Sequence, residues 1–166
     1  MSDIIRKSPT RPEATIEGSK TARKSAARLA AVQALYQITQ REQSVAKVIQ
    51  EFMDHRVGFP VEDETMLVAP EPELFQSIVT GVQEYYDDLS DKLNDHLAEN
   101  ISLTRMEPVL RLILLCGAFE LTAHRDIDGP IIVSDYVAMT DSFYGEGEKE
   151  TGLINAVLDS LADAVR

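Results

Sequence analysis

At 166 residues the chain is long enough for one domain, or for two small closely packed halves, and 44% hydrophobic content supplies a real core. Aromatics make up only 6% and Trp is absent, so Leu, Val, Ile and Ala must fill that core, which favours helices packed on helices over an aromatic-rich sandwich. A net charge of −12 excludes nonspecific coating of nucleic acid, because the bulk field repels phosphate.

The charge is unevenly placed along the chain. Arg6, Lys7, Arg11, Lys20, Arg23, Lys24 and Arg28 are seven of the sixteen basic residues, and they face only Asp3, Glu13 and Glu17 in that stretch. The remainder sets nine Lys and Arg against twenty-five Asp and Glu. The pattern points to a polyanion contact at one end, nucleic acid above all. Residues 1–20 carry Pro9, Pro12 and Gly18 without periodicity and read as a flexible basic arm. Residues 21–40 read as the first helix, with Ala31, Leu35 and Ile38 recurring at three- and four-residue spacing. Lys20, Lys24 and Arg28 fall four apart and line one stripe of that helix, with Arg23 beside it.

Residues 44–55 read as a shorter second helix burying Val45, Val48, Ile49 and Phe52, stopped by Gly58 and Pro60. An acidic loop follows through Pro72. Residues 73–97 read as one long third helix with Phe75, Ile78, Val79, Val82, Tyr86, Leu89 and Leu93 inward. The next helix starts either at a capping box from Thr104 to Glu107 or at Pro108, and runs to about residue 124. Being apolar on most sides, it should be the central one. Asp128-Gly129-Pro130 breaks the chain. Ile132, Tyr136, Met139 and Phe143 then recur at helical spacing, although Ile131-Ile132-Val133 would also suit a strand. Gly145 and Gly147 mark a loop. Ile154, Val157, Leu158, Leu161 and Val165 form the buried stripe of a last helix. The expected fold class is all-α, with six or seven helices and no sheet.

Catalytic and metal-binding patterns are missing from the sequence. His55, His96 and His124 each fall near a helix end, where a cation complements the dipole, and none has metal-ligand spacing. Glu84, Asp88, Asp91 and Asp95 read as a solvated acidic face. Cys116, the single cysteine, sits in an apolar run and reads as a buried inert thiol, which suits a reducing cytosol. No glycine-rich phosphate loop, nucleophile elbow or signal peptide is present, and the apolar run at 112–119 is too short to span a bilayer. From the residues alone the chain is a helical binding protein with a basic arm: no enzyme, metal, cofactor or membrane segment is expected.

Four stretches carry more than periodicity. Arg28-Leu29-Ala30-Ala31-Val32-Gln33-Ala34-Leu35-Tyr36-Gln37 resembles the first-helix signature of the NusB family of bacterial transcription antitermination factors. Gly152-Leu153-Ile154-Asn155-Ala156-Val157-Leu158-Asp159 resembles that family's last-helix motif. Between them, Val109-Leu110-Arg111 with Gly117-Ala118-Phe119-Glu120-Leu121 resembles the central helix, and Ile132-Val133-Ser134-Asp135-Tyr136-Val137 the helix after it. The resemblance runs through about residues 22–164.

It implies two small helical bundles packed together, the first half about 21–100 and the second about 101–166. It also implies a non-catalytic cytoplasmic factor that pairs with the small-subunit ribosomal protein NusE. The pair would bind single-stranded boxA-like RNA on nascent transcripts and help RNA polymerase read through terminators, mainly in ribosomal RNA operons. Carried over by position, Lys20, Arg23, Lys24 and Arg28 would face RNA, beside a second RNA-facing region at the start of the last helix, Lys149, Leu153 and Asn155. Flexible cations reach phosphates, and Arg also stacks on unpaired bases. Tyr36 would face NusE, and apolar surface kept for that partner would also support a homodimer when the chain is alone. The chain departs from the family where Ser25, Ala26 and Ala27 dilute the basic run and where Leu153 replaces a Phe. Those departures suit an alternative, a protein-interaction module of the same fold with weakened RNA binding.

Overall fold

The computed structural model describes residues 19–55, 59–60 and 67–166. The expected arm up to residue 18, with Arg6, Lys7 and Arg11, lies outside the described residues, as do most of the acidic loop and the side chain of His55.

Among the described residues the chain forms seven α-helices: α1 Lys20–Arg41, α2 Val45–His55, α3 Pro72–Glu84, α4 Tyr86–Asn94, α5 Pro108–Ala123, α6 Gly129–Tyr144 and α7 Lys149–Val165. A 3-10 turn, Leu103–Arg105, precedes α5. Local chemistry sets several of the ends. The Ser19 hydroxyl accepts from the Ala22 N–H at 3.1 Å and caps α1. Pro108 opens α5, and the Glu107 carboxylate accepts from the N–H groups of Val109 and Leu110. Of the two possible starts for this helix the structure thus takes Pro108, and Thr104 lies in the 3-10 turn. Ile131-Ile132-Val133 is the first turn of α6, not a strand: Ile132 and Val133 enter the core and Ile131 faces out. Gly145, with φ 107°, turns the chain from α6 toward α7, and no β-carbon would adopt that conformation without strain.

Two expectations need correction. The segment at 73–97 is two helices, because Tyr85, at φ −106° and ψ 23°, interrupts it. The break lets α3 lie on α1, α2 and α5 while α4 turns to α5 and α7. Tyr86, expected inward, is exposed, and so is Tyr85. The acidic loop also carries a short antiparallel pair, β1 Phe59–Pro60 with β2 Leu67–Val68, Phe59 opposite Val68. It is too small to alter the all-α class.

One continuous apolar cluster runs from α1 to α7. Helix α5 is its axis: it packs on α1, α3, α4, α6 and α7, and every residue from 112 to 121 is buried. Cys116 is among them. Burial first, and then the Glu120 carboxylate, push its thiol well above the ordinary range, so it is inert. Glu84, Asp88, Asp91 and Asp95 are exposed, as a solvated face requires. His124 caps the end of α5 and bonds to the Ser77 hydroxyl, and His96, just past α4, bonds to that of Ser160. Arg166 closes the same end of α5, its guanidinium donating to the carbonyls of Leu121, Ile127 and His124.

Helices α3 and α5 approach closely at Gly81. A β-carbon at Gly81 would lie 2.1 Å from the Phe119 ring, so that ring occupies the space a side chain would need. Gly81→Ala should therefore cost about 1–3 kcal/mol despite the better helix propensity of Ala. Urea unfolding measures this, and adding Phe119→Leu should recover part of the loss.

Candidate nucleic-acid interface

The basic stripe of α1 divides between surface and interior. Arg28 is buried, with its side chain 3% exposed. Its Nε donates to Glu120 Oε1 at 2.7 Å and its Nη2 to Glu120 Oε2 at 2.9 Å, a two-pronged pair with α5. Its Nη1 donates to Asp135 Oδ2 on α6 at 2.6 Å. The Tyr136 hydroxyl donates to Glu120 Oε1 at 2.7 Å, and the Ser25 hydroxyl is shared between the two Asp135 oxygens at 2.9 and 3.0 Å. Burial alone would lower the guanidinium pKa, but the bonds and charge of Glu120 outweigh it and the pKa rises. Burial and then Glu120 push the Tyr136 phenol well up, so it stays a donor. Arg28 thus stands apart from the expected surface cations: three of its N–H groups are committed to Glu120 and Asp135, and its nearly closed side chain only borders the groove between α1 and α6.

The other cations of α1 stay near the surface. Lys20 is exposed and Lys24 half-buried, and neither bonds to a carboxylate among the described residues. Arg23 is half-buried; its Nε donates to the Ala69 carbonyl at 3.4 Å while its own carbonyl accepts from the Glu71 N–H, which ties the helix start to the 69–71 turn.

The second expected region lies elsewhere. Thr21 and Ser25 of α1 line an open groove of about 410 Å³ with Pro130, Ile131 and Ser134, at the start of α6. The start of α7 sits at the other end of α6, where the Thr151 hydroxyl donates to Asp141 Oδ1 at 2.8 Å. Helix α6 has 16 residues, about 24 Å at 1.5 Å per residue. Lys20 and Lys24 are therefore not beside Lys149, Leu153 and Asn155, and the two sets cannot hold the same nucleotide. Lys149 and Asn155 are exposed. Leu153 is half-buried and faces a hollow lined by Ile101, Arg105 and Met106, where it does the work of packing.

Tyr36 stands apart from both regions. It is 40% exposed, beside Phe143 at 45%, in a groove of about 360 Å³ floored by Val32 and Val109 and edged by Gln33, Gln37 and Arg41. Gln33 Oε1 is buried there with no hydrogen-bond partner among the described residues. Sequence reasoning missed Phe143 and Val109: Phe143 shares the spacing of Tyr136 and Met139 and reads as core, yet it lies near the end of α6 where the covering helices stop. Among the described residues no three His, Cys, Asp or Glu come together as metal ligands, and no helix is long and apolar enough to cross a membrane.

Comparison with known proteins agrees with this architecture. Residues 25–163 match the model of the NusB family. A protein of Hyphomonas neptunium, named transcription antitermination protein NusB, is 39% identical over 150 residues, spanning 87% of this chain and 92% of its own. A protein of the same name from Brucella ovis is 42% identical over 144 residues, 87% of this chain and 82% of its own. Among solved structures, NusB of T. maritima superposes with a TM-score of 0.62 at 24% identity, covering 82% of this chain and 88% of that one. A complex of antitermination factors NusB and NusE with double-stranded RNA superposes with a TM-score of 0.68 at 20% identity, covering 88% and 99%. These structural likenesses establish the all-α fold.

The division of the α1 stripe has a direct consequence for stability. Arg28→Ala strands the Glu120 carboxylate in the core and should cost about 3–5 kcal/mol, whereas Lys24→Ala should stay within about 0.5 kcal/mol. Chemical denaturation of the two variants against the parent measures both.

Proposed function

The chain belongs to the NusB family, and on that premise we propose that it is a transcription antitermination factor that binds boxA-like RNA together with NusE. Its relatives at about 40% identity carry that name over most of their length. The observation that carries the RNA half of the reading is the pair of exposed Lys20 and half-buried Lys24, cations without carboxylate partners among the described residues, at one end of an otherwise acidic body. Arg23 adds a partly committed third charge. Such a short basic edge neutralises few phosphates, so affinity must come in part from a second protein. An unpaired strand fits better than a duplex, because its phosphates can follow a single helix edge while its bases turn toward the protein. Lys149 and Asn155 then meet a later part of the same strand, beyond the length of α6.

The Tyr36 groove is the proposed seat of NusE. Two exposed aromatics around an apolar floor, with a buried amide oxygen that has no partner among the described residues, match the make-up of a docking anchor. The chain's place of action is then with RNA polymerase in the cytoplasm, on ribosomal RNA transcripts, and its role there is non-catalytic. The burial of Arg28 and the packing of half-buried Leu153 favour one rival, a protein-interaction module of the same fold that has largely given up RNA.

Fluorescence anisotropy with boxA-like single-stranded RNA, with and without NusE and across salt, separates the two. The antitermination reading expects binding that tightens with NusE and weakens with salt. Lys20→Ala with Lys24→Ala should lower the salt slope by about one per phosphate-contacting cation removed. Tyr36→Ala should weaken NusE binding at least about tenfold and leave that slope unchanged. No RNA binding at low salt, with NusE bound normally, would establish the rival.

A further inference from the structure

The groove between the starts of α1 and α6 holds a carboxylate fixed firmly on one side and held by a single shared hydroxyl on the other. Asp135 Oδ2 accepts from Arg28 at 2.6 Å and takes part of the Ser25 hydroxyl. Among the described residues Oδ1 takes only the other part of that single hydroxyl, at 2.9 Å. The side chain is 22% exposed and lines the groove, whose α1 wall is Thr21, Ser25 and the edge of Arg28 and whose α6 wall includes Ile131, Ser134 and Ala138. Arg28 and Ser25 thus brace the carboxylate from the α1 side, and Oδ1 keeps acceptor capacity toward the groove.

The lining combines three chemistries. Ile131, 51% exposed, and Pro130 offer an apolar platform. Ser134 and Thr21 offer hydroxyls, which donate or accept. Asp135 offers an oriented acceptor. Lys20 and Lys24 flank Thr21 on the same helix, within one turn. A carboxylate beside phosphate-binding cations repels the sugar–phosphate chain itself, yet it rewards a group that brings hydrogen-bond donors. A nucleobase is such a group, since its ring packs on apolar surface and its edge carries N–H donors.

We infer that Asp135 reads a base of the bound RNA, and that the groove seats an unpaired guanine whose N1–H meets Oδ1 and whose N2 amine meets the Ser134 or Thr21 hydroxyl. The inference rests on the proposed RNA binding and adds to it the residue that sets specificity. Guanine fits best because its two donors are adjacent. Uracil offers one donor between two acceptors, and adenine and cytosine place a ring-nitrogen acceptor beside the amine. Phosphate contacts at Lys20 and Lys24 hold the strand but carry no sequence information, so base choice must come from a group like Asp135.

The test uses short oligouridine carrying one central guanine, adenine, cytosine or abasic position, read by fluorescence anisotropy on the full chain with NusE present. The guanine oligomer should bind about tenfold tighter than the others. Asp135→Asn, which replaces the acceptor by an amide of the same shape, should reduce that preference to less than about threefold while the salt slope stays as in the parent. Ala138→Phe fills the groove from an exposed position outside the ion-pair network and should do the same, which decides the matter if Asp135→Asn does not fold. Retention of the guanine preference by the folded variants, or its absence in the parent, overturns the inference while RNA binding itself stands. Failure of the parent to bind any oligomer overturns the antitermination reading, and this inference with it.

Discussion

The bidentate pair between Arg28 and Glu120 is the contact on which the arrangement of helices depends. Glu120 lies in the last turn of α5, fully buried, where an unpaired carboxylate would be very costly. Its two oxygens accept from Arg28 of α1 and Tyr136 of α6, so one acidic group obliges three helices to meet at a fixed register. Asp135 adds a second anchor from α6 to the same guanidinium. An apolar cluster of Leu, Ile and Val would hold these helices together in several ways, whereas donors that must match acceptors leave one.

This contact also decides which part of the basic stripe remains for function. Residues four apart on a helix share a face, but the face of α1 passes from solvent into the core within two turns. Lys20 precedes the crossing, Lys24 sits at it, and Arg28 lies inside. The guanidinium spent there fixes the angle at which the two lysines leave the body and orients the Asp135 carboxylate from behind. It also holds α1 so that Tyr36, two turns further on, faces the groove of Val109 and Phe143. The proposed RNA edge and the proposed partner groove are thus two parts of one helix whose middle is pinned.

Much of the fold was legible in the sequence, because apolar periodicity reports directly on which helical face is covered. The axis at 108–123 stood out by being apolar all round, and Gly145 and Gly147 marked the last loop. The break at Tyr85 was not legible: neither Pro nor a helix-ending Gly stands there, and the bend follows from where α5 and α7 lie. The site was legible only in part. Charge spacing located the α1 stripe, but nothing within that stretch tells Arg28 from Lys24. The difference comes from Glu120 and Asp135, 92 and 107 positions away. Phe143 has core spacing and lies outside the core, since exposure depends on where neighbouring helices end. That the two regions expected to face RNA lie at opposite ends of α6 is not legible, because family motifs name residues without fixing which end of a helix they occupy.

Arg28 holds the fold through Glu120 and is not a surface cation. A double-mutant cycle tests it most directly, with Arg28→Met, Glu120→Gln and the pair compared by the free energy of unfolding. A buried, mutually satisfied pair should give a coupling of about 2–3 kcal/mol, the double variant being more stable than the sum of the single losses allows. A coupling below about 0.5 kcal/mol, the scale of independent sites, would contradict the account and return Arg28 to the RNA-facing set.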